Sequence, residues 1–138
     1  MSASRTVSAE IGIRLLAPGT VVPLIATLSY SDDDPYAVRV TFHAGHEEPV
    51  EWVFARDLLR AGTLGRAGAG DVQAWPCDGG QALRIRLSSP FGEAVFEATA
   101  ADVTGFLDRA AALVPEGGED VDVDAELAAL LLGGGGAW

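Results

Sequence analysis

The chain has 138 residues, 49% apolar and 21% charged, a size and composition typical of one folded domain and not of a disordered protein. No apolar run reaches the ~18–20 residues of a membrane-spanning helix, and no apolar signal segment follows the N-terminus, so we expect a cytoplasmic protein without membrane insertion. The net charge of −11 disfavours generic binding to nucleic acid, especially since residues 93–138 carry ten acids and one arginine.

Alternation of apolar and polar residues predicts strands in the first part of the chain. Every second side chain is apolar in residues 6–16, and the pattern returns in residues 21–30 after a Pro-Gly turn. It continues in residues 36–43, and residues 50–54 form the returning strand. Each strand therefore has one apolar face for a core and one wet face.

The spacing of apolar residues changes in the middle of the chain. Residues 55–61 fit a short helix that ends at Gly62, and the glycine-rich residues 63–70 fit a mobile loop. Three further strands are predicted where alternation returns, at residues 72–75, 82–87 and 93–98.

The C-terminal part is predicted to be helical. Thr99 can cap a helix at residues 100–113, with Asp102 three residues on, which comes near to a capping box. Residues 122–132 fit a second helix, and the glycine-rich residues 133–138 fit a flexible tail. The predicted fold is α+β: a strongly twisted, mostly antiparallel sheet of about seven strands, a short middle helix and two C-terminal helices, in one domain over residues 1–132.

The histidines offer one candidate metal cluster, formed by His43, His46 and Glu47. Zinc sites need at least three fixed protein ligands, so solvated turn residues are the favoured interpretation. Cys77 is the only cysteine and has no partner for a disulfide or a cysteine-based zinc site.

No catalytic motif is recognisable. The glycine-rich residues 65–70 lack the Lys-Ser/Thr pair of a phosphate-binding loop, and Ser88-Ser89-Pro90 lacks the glycine-flanked turn of a nucleophilic serine. We therefore expect no enzyme, no cofactor and no metal.

Aromatic residues leave two interpretations open. Trp52 and Phe54 alternate along one predicted strand, which favours core side chains, but tryptophan is also enriched at binding hot spots. The leucines at the C-terminus are likewise favoured as core over interface; they are Leu127, Leu130, Leu131 and Leu132.

Several stretches resemble the SsgA-like proteins of actinomycetes. In chain order they are Asp34-Pro35-Tyr36-Ala37-Val38 with Thr41-Phe42-His43, Glu51-Trp52-Val53-Phe54-Ala55-Arg56-Asp57-Leu58-Leu59, Gly70-Asp71-Val72 with Trp75-Pro76, and Leu87-Ser88-Ser89-Pro90 with Gly92-Glu93-Ala94. SsgB-type members of the family are the most similar. The resemblance suggests a set of residues that are either structural or in contact with a partner: Asp34, Pro35, Tyr36, Glu51, Trp52, Phe54, Arg56, Asp57 and Trp75.

The resemblance implies a role in sporulation-specific septation. The chain would help to position the tubulin-like division GTPase FtsZ at future septa, with an SsgA-type partner, and would be recruited to division septa. A homotrimer and a whirly-like fold are also implied. The family has no known catalytic residues to carry over.

Whirly proteins suggest the alternative function, because they bind single-stranded nucleic acid. Arg39, Arg84 and Arg86 lie on predicted strand faces where such binding would occur. Fold similarity does not transfer that activity, and the acidic charge of the chain counts against it.

Overall fold

The computed structural model describes residues 4–43, 45 and 48–117. The predicted second C-terminal helix at 122–132, the tail at 133–138, the four C-terminal leucines, and His46 and Glu47 of the candidate metal cluster lie outside the described residues.

Seven strands and two helices make up the described part of the chain. They are β1 (Thr6–Ala17), β2 (Thr20–Ser31), β3 (Ala37–His43), β4 (Val50–Ala55), α1 (Arg56–Leu64), β5 (Val72–Cys77), β6 (Ala82–Ser89), β7 (Gly92–Thr99) and α2 (Ala100–Leu113). All strand pairs are antiparallel, in the order β4-β3-β2-β1-β7-β6-β5. This confirms the predicted seven-stranded antiparallel sheet.

The alternating faces of β1 and β2 meet in register. Ile11 pairs with Ala26 and Ala9 with Leu28, so the apolar side chains of both strands lie on one side of the sheet. Buried residues of β3, β6 and β7 continue this apolar side, and α2 contributes Val103, Phe106, Leu107 and Ala110 to the same core. The polar side chains lie on the opposite, outer side, as the alternation predicts.

Strong curvature brings distant strands of the sheet together. The rings of Phe42 on β3 and Phe96 on β7 stack with centroids 4.4 Å apart, although β2 and β1 lie between these strands. In a flat sheet three strand spacings would separate them by roughly 14 Å. The sheet therefore curls into an open half-barrel, and its inner side encloses the core.

Helix α1 extends past the glycine that was predicted to end it. The helix runs from Arg56 to Leu64, through a buried Gly62. A Cβ at Gly62 would lie 2.6 Å from the Cβ of Ala74 on β5, so the glycine is required for close packing of helix on strand. Gly62 is thus needed for the contact between α1 and β5, and it does not end the helix.

Two further predictions were wrong in detail. Part of the loop predicted to be mobile is fixed, because Ala67 and Ala74 exchange backbone hydrogen bonds of 2.8 and 2.9 Å. Thr99 does precede α2, but its side chain makes no capping hydrogen bond.

Glycine-to-alanine exchanges in the two helices should have opposite effects. Gly62→Ala must push α1 from β5, so we expect a loss of about 1–2 kcal/mol after allowing for the better helix propensity of alanine. Gly105→Ala in α2 is the control, because nothing lies within 4 Å of its added methyl group, and it should gain up to about 1 kcal/mol. Urea unfolding measures both; equal effects would contradict the packing role of Gly62.

Candidate functional site

Arg56 is the centre of the residues that carry the family resemblance. It is the first residue of α1 and is fully buried. Its Nη1 donates to the carbonyl of Val114 at 2.6 Å and its Nη2 to that of Pro115 at 3.4 Å. The guanidinium also lies 5.0 Å from the centroid of the Tyr30 ring. One buried cation therefore connects the start of α1 with β2 and with the end of α2.

The Asp34-Pro35-Tyr36 stretch joins the same cluster through its backbone. The carbonyl of Tyr36 accepts from the Arg56 N–H at 2.8 Å, and the carbonyl of Pro35 accepts from the Tyr30 hydroxyl at 3.0 Å. Two family stretches that are twenty residues apart in sequence thus meet at one place. We call Arg56, Tyr30, Pro35 and Tyr36, with the end of α2, the Arg56 cluster.

Arg60 makes a second contact between the two helices, one turn after Arg56. Its guanidinium bonds Asp108 of α2 at 2.9 Å and Glu116 at 2.8 Å. Burial of the side chain opposes its charged form, but the hydrogen bonds and charges of Glu116 and Asp108 outweigh this, so the pKa of Arg60 lies above its ordinary value.

The other family residues lie in different environments. Phe54 is buried, whereas Glu51 and Asp57 are exposed and Trp52 is half-buried. Asp34 is exposed as well. The structure thus places these residues in a buried group and a group open to solvent.

Trp52 lines an apolar cavity of about 340 Å³ at the open end of the half-barrel. Leu15, Leu24 and Val50 line it as well, and Phe91, beside it in the β6–β7 turn, is 99% exposed. We call this the mouth cavity. Trp52 is therefore neither a fully buried core residue nor a free anchor. The sequence analysis missed Phe91, although a large apolar residue in a turn could have indicated an exposed contact residue.

Charged residues are concentrated on the outer side of the sheet around Glu97. This carboxylate is only 7% exposed and accepts from both Arg14 and Arg84, the latter at 3.0 Å. The thiol of Cys77 lies 3.6 Å from it. Sequence reasoning missed this group, although strand alternation had placed its arginines on the wet faces.

Trp75 also faces outwards. Its neighbour across the β5–β6 pair is Arg84, and the guanidinium of Arg66 lies 4.7 Å from the centroid of its ring. This geometry is a cation–π contact, in which the positive charge is attracted to the ring face.

Within the described residues no three His, Cys, Asp or Glu side chains are placed to hold a metal ion. His43 instead has its Nε2 3.1 Å from the hydroxyl of Thr27. Among the described helices none is long and apolar enough to cross a membrane.

Removing the Arg56 side chain should strongly weaken the fold. Arg56→Met leaves two carbonyls without their charged donor, so we expect a loss of about 3 kcal/mol in the free energy of unfolding. Arg60→Met is the matched control and should cost about 1 kcal/mol or less, because its ion pairs are partly open to solvent and such pairs contribute little. Urea unfolding gives both values. A loss for Arg56→Met no larger than that for Arg60→Met would contradict this role.

Comparison with known proteins gives consistent matches. Residues 24–119 match the family model described as Streptomyces sporulation and cell division protein, SsgA. The sporulation-specific cell division protein SsgB of Thermobifida fusca is 49% identical over 93% of this chain and 97% of its own length. SsgB of Streptomyces coelicolor is 48% identical over 91% and 96%.

Solved structures agree with these matches. The crystal structure of an SsgA-like sporulation-specific cell division protein from Thermobifida fusca superposes with a TM-score of 0.81 at 47% identity, over 93% of this chain and 97% of that one. A structure from work on SsgB mutations that correlate to longitudinal cell division during sporulation of Streptomyces coelicolor also has a TM-score of 0.81, at 48% identity over 86% and 96%. The chain belongs to the SsgA family of sporulation and cell division proteins.

Proposed function

We propose that this chain is a sporulation-specific cell division protein that acts as a non-catalytic scaffold, helping to position the division GTPase FtsZ at septum sites. The proposal rests on the sequence identity of 49% and 48% to two SsgB proteins over almost their full length. SsgA-type proteins are the further partners that we propose, and recruitment from the cytoplasm to septa follows from such a role.

The surface geometry supports a contact function. Trp52, Val50 and Phe91 give the mouth cavity a partly exposed apolar lining. Exposed apolar patches on soluble domains mark interaction sites, and aromatic residues dominate binding hot spots. We propose that the GTPase or its complex binds at the mouth cavity.

Binding of single-stranded nucleic acid is the alternative, and the charge arrangement disfavours it. Arg39, Arg84 and Arg86 each lie within 4 Å of a glutamate, at 3.7, 3.0 and 2.7 Å. Paired arginines offer less charge to phosphates, which supply most affinity in such complexes. Tight, salt-sensitive binding of labelled single strands would favour this alternative. The similarity of the fold to that of whirly proteins stays a prediction.

Self-association is a further proposal, and the two edges of the sheet are unequal in their ability to support it. On β5 the outward backbone groups of Ala74 are bonded to Ala67, and Pro76, two residues on, has no N–H to offer. Strand β4 pairs with β3 alone among the described strands, and two of its residues, Val50 and Val53, are exposed. We propose that β4 takes part in the contact between copies.

A trimer, which the family resemblance implies, needs more than strand pairing. A closed ring joins two different surfaces of neighbouring copies, so β4 of one copy must meet a surface other than β4 on the next. The β5 edge is a poor candidate because the backbone groups of Ala74 are already bonded to Ala67 and Pro76 has no N–H. The neighbouring contact is therefore made by side chains.

The functional proposal predicts which proteins this chain captures. Used as bait in extracts of sporulating actinomycete cells, it should retain the division GTPase, detected by antibody, and SsgA-type proteins. Phe91→Ser should reduce capture because it removes the exposed ring beside the mouth cavity. Leu64→Ser, which removes an 82% exposed side chain at the end of α1, is the control. Absence of the GTPase from the wild-type capture would contradict the proposal.

Sedimentation equilibrium tests the oligomer. We expect a mass above that of the monomer that changes little between low and high salt, because the exposed valines of β4 contribute apolar contacts, which carry no charge for salt to screen. Val53→Lys should shift the population towards the monomer, and deletion of residues 133–138 should not. A wild-type monomer at micromolar concentration, or an oligomer that forms only at high salt, would contradict the proposal.

A further inference from the structure

The mouth cavity is lined by side chains that the fold holds in place. Its lining includes the stacked rings of Phe42 and Phe96, whose centroids lie 4.4 Å apart. Trp52 on β4 belongs to the lining as well, with its ring centroid 6.3 Å from that of Phe54. A partner therefore meets a cavity that already has its shape, so little side-chain ordering has to accompany binding.

The β6–β7 turn fixes an exposed ring beside this cavity. The hydroxyl of Ser89 accepts from the N–H of Phe91 at 3.1 Å and donates to the carbonyl of Gly92 at 3.4 Å. Because these bonds hold the backbone on both sides of Phe91, its ring extends into solvent from a defined position, at 99% exposure. An exposed aromatic ring offers an apolar face, and the same face attracts a cation.

The volume of the mouth cavity limits what can enter it. Its 340 Å³ lie at the lower end of the roughly 300–1,000 Å³ that ligand sites occupy. One turn of an α-helix with its side chains, about 10 Å wide and about 5.4 Å long, fills about 420 Å³. The cavity is therefore large enough for one or two apolar side chains of a partner, but not for a helical turn.

The charges at the mouth cavity are negative. Among its described lining residues Glu48 and Glu93 are charged and none is basic. Glu93 is bonded to Arg86 at 2.7 Å, whereas Glu48 makes no ion pair with another described residue, so a net charge of −1 is left when Arg86 is counted. The whole chain carries −11. Carboxylates of a partner are therefore repelled here, and cations are attracted.

We propose that the mouth cavity takes a partner segment in which a large apolar side chain is flanked by arginine or lysine. This inference rests on the proposal that a division protein binds at the mouth cavity, and it adds the chemistry of the bound segment. The apolar side chain enters the cavity against Trp52. The basic residues stay at the entrance, where the carboxylate of Glu48 and the exposed ring of Phe91 attract them.

Fluorine NMR of the full chain labelled with 5-fluorotryptophan tests the proposal, with the Trp52 signal assigned through Trp52→Phe. The probe is a capped heptapeptide with two lysines on each side of a Leu-Phe-Leu centre. It should move the Trp52 signal and leave the signal of the outward-facing Trp75 in place. A peptide with glutamates instead of lysines should bind at least about tenfold more weakly, and a Ser-Gly-Ser centre should abolish the shift.

Two single substitutions test the role of charge. Glu48→Gln should weaken binding of the lysine peptide about two- to fivefold, the range expected for one exposed charge pair. Glu10→Gln is the matched control, because it changes the net charge equally at an exposed position of β1, and it should leave the affinity unchanged. Equal effects of the two substitutions would overturn the proposal.

Three results of the peptide titrations would also overturn it. They are equal binding of the lysine and glutamate peptides, an unmoved Trp52 signal with the lysine peptide, and a Trp52 signal of the free chain that depends on protein concentration. In the last case a second copy would fill the cavity, for which Leu64, 82% exposed and two residues before Arg66, is the candidate side chain.

Capture from cell extracts separates this inference from the proposed function. If the wild-type chain captures the division GTPase, the lysine peptide should displace it from the bait and the glutamate peptide should not. A captured GTPase that both peptides leave bound would overturn this inference alone. Binding of the lysine peptide at Trp52 without any capture of the GTPase would contradict the proposed function and support the chemistry inferred for the cavity.

Discussion

The buried guanidinium of Arg56 is the interaction on which the arrangement of both helices depends. A curled sheet has an inner side that must be covered, and α1 and α2 cover it from different points of the sequence. Arg56 holds them together because its side chain reaches the carbonyls of Val114 and Pro115. A buried cation without such partners would cost several kcal/mol, so the cluster forms as a unit or not at all. The family stretches around Tyr36 and Arg56 are explained by this requirement.

The curl also determines which surfaces are left open to solvent. Because the inner sides of β3 and β7 meet at the Phe42–Phe96 stack, the core is closed in the middle of the half-barrel. Its open end leaves the mouth cavity with an apolar lining, and the outer side collects the charged residues. One surface is thus suited to apolar contact and the other to electrostatic contact.

Much of the sheet could be predicted from the sequence, because alternation reports directly which side of a strand is buried. The seven strands and α2 were located to within about two residues at each end. Pairing of β1 with β7 was not predictable, since no local pattern records which distant strands become neighbours. The family itself could be recognised because it depends on matching residues and not on packing.

The site was less predictable for reasons that particular residues illustrate. Gly62 looked like a helix end because its role depends on Ala74 of β5, which is distant in sequence. An arginine in a short helix is expected at the surface, so the burial of Arg56 gave no local signal. Phe91 lies in the turn between Pro90 and Gly92, and nothing in that local sequence shows that an apolar cavity lies beside it. Each of these errors arises where a tertiary contact overrides a local preference.

Hydrogen exchange at the Arg56 cluster measures whether this arginine fixes both helices to the sheet. The amide of Arg56 bonds to Tyr36 at 2.8 Å and that of Val114 to Ala110 at 2.9 Å, both at helix ends that would normally fray. If Arg56 fixes both helices to the sheet, these two amides should exchange as slowly as those of Ala26 and Leu28 in central strand β2. Exchange at Arg56 and Val114 that is fast while β2 stays protected would show that the helix ends open independently and that Arg56 does not hold them to the sheet.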